Sequence, residues 1–124
     1  MAKNDNTKVA SIRKKLETDG RWSRFKLGDA EVEYVLSRGI DILRLHATDF
    51  IQKRIAPAEP KNDGRQTPAK GHPVFIAQHA CGCHDRDGVA TYFDLKKGKE
   101  LSDKEVTLIV DLIIHWLDEQ VHQA

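Results

Sequence analysis

The stretch Asn62-Asp-Gly-Arg-Gln-Thr-Pro-Ala-Lys-Gly-His-Pro-Val-Phe-Ile-Ala-Gln-His-Ala-Cys-Gly-Cys-His84 holds three of the six histidines of this 124-residue chain and both of its cysteines. Imidazoles and thiols titrate or ligate close to neutral pH, and here they stand among amide, hydroxyl and cationic groups. Three chemistries fit. In the first, His72 and His79 form an acid/base pair for phosphodiester cleavage, one neutral and one protonated. Arg65 or Lys70 would then stabilise the phosphate charge. If both histidines lay in one helix they would sit about 10 Å apart along its axis, a span suited to flanking a small group. His46 is a third candidate, with Asp49 at i+3 able to orient its ring.

The second chemistry is capture without turnover. Asn62, Asp63, Arg65, Gln66 and Thr67 would hydrogen-bond a small anionic, nucleotide-like molecule, with Gln78 or His79 stacking on it or donating to it. The third is a zinc site drawing on His72, His79, Cys81, Cys83 and His84. Cys-x-Cys cannot place both thiols on one helical face, because two residues turn a helix by about 200°. Both could reach one ion only from loop backbone, which Gly82 permits. Each chemistry has a plainer counterpart: His72 as a helix cap, His79 donating to a backbone carbonyl, Asn-Asp-Gly as a β-turn, and the cysteines as a reduced turn.

The elements that position these residues read as helices. Val9, Ile12 and Leu16 mark an amphipathic helix over 7–18, behind a flexible tail at 1–6 and closed by Asp19-Gly20. Gly28-Asp29 can cap a helix from Ala30 to about Ser37 with Val32, Val35 and Leu36 on its stripe, and Gly39 breaks it. Ile40, Leu43, Ala47, Phe50, Ile51 and Ile55 form the next stripe, with His46 on its flank. Residues 56–71, with three of the four prolines, form a loop. Gly71-His72-Pro73 can start a short buried helix over Val74–Ala80, because proline suits the first helical position. A strand pair near 74–95 is the alternative. Gly82 and Gly88 bracket an irregular turn, and Val89–Leu95 is a strand or a helical turn. Ser102-Asp-Lys-Glu105 is a capping box for a long helix ending near Val121. Its apolar residues cover more than one face, which predicts a central helix or a subunit interface, and hence a homo-oligomer. His115 and His122 fall to packing and solvent.

Length and composition fit one domain spanning 1–124. With 40% hydrophobic and 31% charged residues the chain reads as globular, and no apolar run reaches the roughly 20 residues that span a bilayer. The N-terminus lacks a signal-peptide core, which predicts a cytoplasmic protein. Net charge is +1, with the basic residues concentrated before residue 28 and the acidic ones after residue 100. That balance gives no footprint for extended nucleic acid. No phosphate-binding glycine loop, nucleophile elbow or dinucleotide fingerprint is present.

The chain resembles a bacterial and phage family, domain-of-unknown-function family 4186. The residues that carry the resemblance are Arg24-Phe25, Leu27, Gly39, His46-Ala47, Asp49-Phe50-Ile51, Arg54, Ala56-Pro-Ala58, Asn62 to Pro68, Gly71 to Ala80, Gly98, Leu101 and the final helix to Trp116. Together they cover about three-quarters of the chain. The family pattern implies a cysteine-rich segment and a Trp-His pair after the His-Ala dipeptide, a zinc-like arrangement. This chain has Cys81-Gly-Cys-His84 and Tyr92-Phe93 instead, so those ligands are shifted or lost. What stays in place is His46, His72, His79 and the 62–67 loop. The expectation is therefore a mainly α, compact fold around a polar histidine-containing pocket for a nucleotide-like ligand, such as a cyclic nucleotide immune signal, with cleavage by His72 and His79. A zinc-stabilised interaction module, or a phage inhibitor of a protein partner, is the runner-up.

Overall fold

The computed structural model describes residues 2–61 and 64–122, with side chains from residue 7 onward. Asn62 and Asp63 therefore lie outside the described residues. The chain winds into α1 (Ala2–Thr18), α2 (Arg21–Arg24), α3 (Asp29–Arg38), α4 (Ile40–Arg54), α5 (Pro73–Ala80), α6 (Arg86–Phe93) and α7 (Asp103–His122). No strand occurs among the described residues, which corrects the alternative of a strand pair near 74–95. The helix of α1 extends back through 2–6, the stretch expected as a tail.

Local caps explain why the apolar run after Gly71 coils. Pro73 occupies the first position of α5, and the His72 ring accepts the Val74 N–H through Nδ1 at 3.0 Å. For α6, Asp85 accepts the Gly88 N–H at 2.8 Å. Gly88 thus belongs to the first turn of a helix and does not bracket an irregular turn. A Cβ at Gly88 would stand 2.1 Å from the Gly82 carbonyl oxygen, so the two glycines let the 81–85 turn close against α6. The capping box of α7 forms as expected: the Ser102 N–H donates to Glu105 Oε1 at 2.7 Å and the Glu105 N–H to Ser102 Oγ at 3.2 Å.

α7 is the central element, packed against α1, α3, α4 and α5. Ile109, Leu112, Ile113, Trp116 and Leu117 are fully buried, each worth about 1.5–3 kcal/mol of transfer free energy. The Trp116 indole N–H donates to the Trp22 carbonyl at 3.0 Å, tying α2 to this helix. The several apolar faces of α7 are thus covered by its own chain. Leu36 departs from the expected stripe, standing 63% exposed on α3, and Ile42 and Leu45 of α4 are exposed as well.

The loop after α4 is held by a residue that periodicity does not single out. Arg86 is buried, and its Nη1 donates to the carbonyls of Ile55 (3.1 Å), Ala56 (3.4 Å) and Pro57 (2.9 Å). Nη2 donates to Lys96 (2.8 Å) and Lys99 (2.7 Å). One guanidinium thereby serves carbonyls that the end of α4 leaves without helical partners and joins them to the turn before α7.

Candidate functional site

The structure divides the sequence-predicted histidines into two groups on either end of α5. At its head, an amide N–H can only donate, so the Val74 contact identifies Nδ1 of His72 as the unprotonated nitrogen. Nε2–H of His72 then donates to Nδ1 of His46 at 3.2 Å. Tyr34, Phe50 and Phe75 surround the His72 ring at centroid distances of 5.4, 5.2 and 5.6 Å. Burial first, and His46 second, push the His72 pKa down to about 4, so the ring is neutral at pH 7. Asp49 pairs with Lys53 at 3.1 Å and so is engaged away from His46.

At the tail of α5, His79 Nε2–H donates to the Thr67 carbonyl at 3.2 Å. The His79 ring stacks on that of His84, centroids 4.4 Å apart and planes inclined by 24°. Arg21 reaches in from α2, donating through Nε to the His79 carbonyl at 2.6 Å and through Nη2 to His84 Nδ1 at 3.3 Å. His84 Nε2 faces Asp85 at 3.4 Å. Burial pushes the His84 pKa down to about 4; Asp85 pulls the other way, while His79 and Arg21 add to the lowering. The Thr67 hydroxyl gives its proton to the His84 carbonyl at 2.8 Å and accepts from Gln78 Nε2 at 3.3 Å. Gln78 also donates to the Cys83 carbonyl at 3.3 Å. Thr67 and Gln78 thus fasten the loop to the turn after α5. Both plainer readings of the histidines, helix cap and carbonyl donor, describe contacts that are present.

Cys81 and Cys83 are fully buried and reduced. Cys81 Sγ donates to the Leu112 carbonyl at 3.6 Å. Burial pushes both thiols upward, opposing the thiolate that zinc requires. Among the described residues, no three of the His, Cys, Asp and Glu side chains converge to hold an ion. Cys81, Cys83 and His84 therefore do not fit a zinc ion in this arrangement. Gly82 holds φ at 68°, and a Cβ there would meet the Tyr92 ring at 2.4 Å. This turn is packing.

Arg65 and Gln66 open onto a cleft of about 660 Å³ between the end of α4 and the loop, lined also by Lys53, Arg54, Glu59 and Lys61 with two prolines. That size lies within the range of small-molecule sites. Among the described lining residues four cations accompany one carboxylate, and one of the four, Lys53, already pairs with Asp49. The Arg54 guanidinium is laid over Phe50 (5.4 Å) and Phe75 (5.1 Å), and its Nη1 donates to the Gln66 carbonyl at 3.4 Å. The Gly64 N–H donates to Gln66 Oε1 at 2.6 Å, which fixes the amide's orientation. Gln66 Nε2 is then buried, with no acceptor among the described residues. Lys70 is exposed and does not line this cleft. A larger cleft of about 730 Å³ lies between α1, the end of α6 and the start of α7. Its Lys8, Lys15 and Lys104 alternate with Asp94, Asp103 and Glu105, so it offers no ligand charge a single sign to answer.

The family model described as a domain of unknown function, DUF4186, matches residues 10–118. The chain belongs to that family. No solved structure matches it. The matched segment contains both histidine groups and the whole cleft. Arg54, one of the family-like residues, and Arg86, which is not, are two whose importance periodicity hides. For Arg86 a signal existed: it begins α6, where the helix dipole disfavours a cation, so a guanidinium there needs partners elsewhere. Arg54 closes α4, where a cation is ordinary, and nothing in the sequence alone marks its stacking. Among the described residues, no helix is long and apolar enough to cross a membrane.

Proposed function

We propose that this chain binds a small anionic, nucleotide-like ligand in the cleft between the end of α4 and the 57–68 loop. One observation carries the reading: among the described residues, Arg54, Lys61 and Arg65 line that cleft with Glu59 as the one carboxylate, beside Lys53, which pairs with Asp49. Grouped like charges raise each other's energy, and an anion bound among them relieves that repulsion. Cyclic nucleotides that bacteria use as immune signals fall within this ligand class, and a cytoplasmic site of action goes with it.

Hydrolysis is a separate step in the proposal. To act as the base of an acid/base pair with His79, His72 would have to release the Val74 amide from Nδ1, because its Nε2 carries the proton toward His46. Neither ring lines the cleft among the described residues, so the geometry favours capture over turnover. Titration calorimetry of the full chain against mononucleotides and cyclic nucleotides, with chromatography of the recovered ligand, separates the two. Retention of intact ligand supports capture. A cleaved product that disappears in the His72→Ala/His79→Ala double variant supports the acid/base pair. Cleavage persisting in that variant rules the pair out, and a panel recovered entirely free sinks the nucleotide reading.

A further inference from the structure

We infer that the cleft recognises a terminal phosphate of its ligand, a phosphomonoester dianion, and leaves the base unread. This rests on the capture reading above and narrows it to a chemical class. A phosphomonoester carries roughly −1.5 to −2 charges at pH 7 and three strong acceptor oxygens, whereas a diester carries a single charge. The lining answers the first description. Arg54, Lys61 and Arg65 supply several donors and positive charge, and Glu59 is the one carboxylate among the described lining residues.

Geometry strengthens the case. Arg54 lies over two aromatic rings and donates to the Gln66 carbonyl, so its planar fork is held in place before a ligand arrives. A fork so held suits bidentate phosphate contact, and less side-chain entropy is lost on binding. Gln66 adds an amide nitrogen whose acceptor is missing among the described residues, and a phosphate oxygen is such an acceptor. The means of holding a base are absent from the described lining. No aromatic ring forms part of it, because Arg54 covers Phe50 and Phe75. Base recognition in open sites relies on stacking against such rings.

The test is titration of the full chain with 5′-AMP, ribose 5-phosphate, 3′,5′-cyclic AMP and adenosine at low and moderate salt. Ribose 5-phosphate and 5′-AMP should bind within a few-fold of each other, cyclic AMP roughly tenfold or more weakly, and adenosine not measurably. Added salt should weaken 5′-AMP binding. In Arg65→Ala, an exposed site whose loss leaves the fold intact, 5′-AMP affinity should drop roughly tenfold. Cyclic AMP binding as tightly as 5′-AMP would overturn the terminal-phosphate inference while leaving anion capture standing. Adenosine matching 5′-AMP would overturn both, as would a panel in which nothing binds.

Discussion

His72 and Arg65 are only seven residues apart in sequence, and both looked like site residues, yet their surroundings differ in kind. Around His72 the ring nitrogens are engaged by the Val74 amide and His46, and three aromatic rings enclose it. Around Arg65 the loop presents cations to an open cleft, and a neighbouring amide nitrogen lacks an acceptor among the described residues. Polar groups whose hydrogen bonds are used internally hold a fold together. Groups whose capacity is left over mark where something else can bind. Residue type alone ranked the histidines first; the accounting leaves a buried amide atom over on each side, Gln66 Nε2 at the cleft and Gln78 Oε1 beside the tail of α5, and the grouped cations rank the cleft first.

Four variants break or sharpen that contrast. The largest effect should come from Arg86→Met, which leaves five loop carbonyls without their guanidinium; urea unfolding should show a loss of about 3–5 kcal/mol. A loss below 1 kcal/mol would mean that the hub is not structural. Next, Gly82→Ala forces a side chain onto a positive φ and into the Tyr92 ring, costing about 2–4 kcal/mol by the same measurement. A silent Gly82→Ala would reopen the cysteine turn as a site.

A smaller effect is pH-dependent. The folded pKa of His72 is held below its usual 6.5, at about 4, so the unfolded chain takes up the proton first. The stability it contributes is therefore complete above pH 6.5 and is lost as pH falls toward 4, on the order of 2 kcal/mol after allowing for partial exposure. His84 shifts in the same direction and shares the window. His72→Asn keeps a cap acceptor but does not titrate, so its unfolding midpoint should follow pH less steeply than that of the parent between pH 6.5 and 4. An unchanged slope would show that His72 is not held neutral. Smallest of all, Arg65→Ala should shift stability by less than about 0.5 kcal/mol while weakening anion binding, which is the signature of a residue outside the fold's own accounting.

Much of the fold was legible. The stripes of α4 and α7, the Pro73 start and the Ser102 capping box are local signals, and local caps decided those helices. The strand alternative for 74–95 failed because its apolar run is too short for periodicity to choose, and the choice lay with His72 and Asp85 as caps. Leu36 was misplaced because α3 is too short for its stripe to define a buried face uniquely. For the proposed cleft, Arg65 and Gln66 were singled out by type. Arg54 and Lys61 were not, because their meaning comes from the convergence of α4 and the loop. The two-faced apolar pattern of α7 was read as a central helix or a subunit interface, and neighbouring helices cover those faces, as the central reading requires.

Those neighbours, α1, α3, α4 and α5, all precede α7 in the chain. During synthesis they leave the ribosome before the surface that they pack against exists. At roughly 5–20 residues per second, the 20 residues of α7 add about one to four seconds in which the apolar faces of four helices stay wet. Until that last helix emerges the nascent chain exposes apolar surface of the kind that aggregates, and a stop codon anywhere before Trp116 should yield an aggregation-prone product and not a smaller folded one.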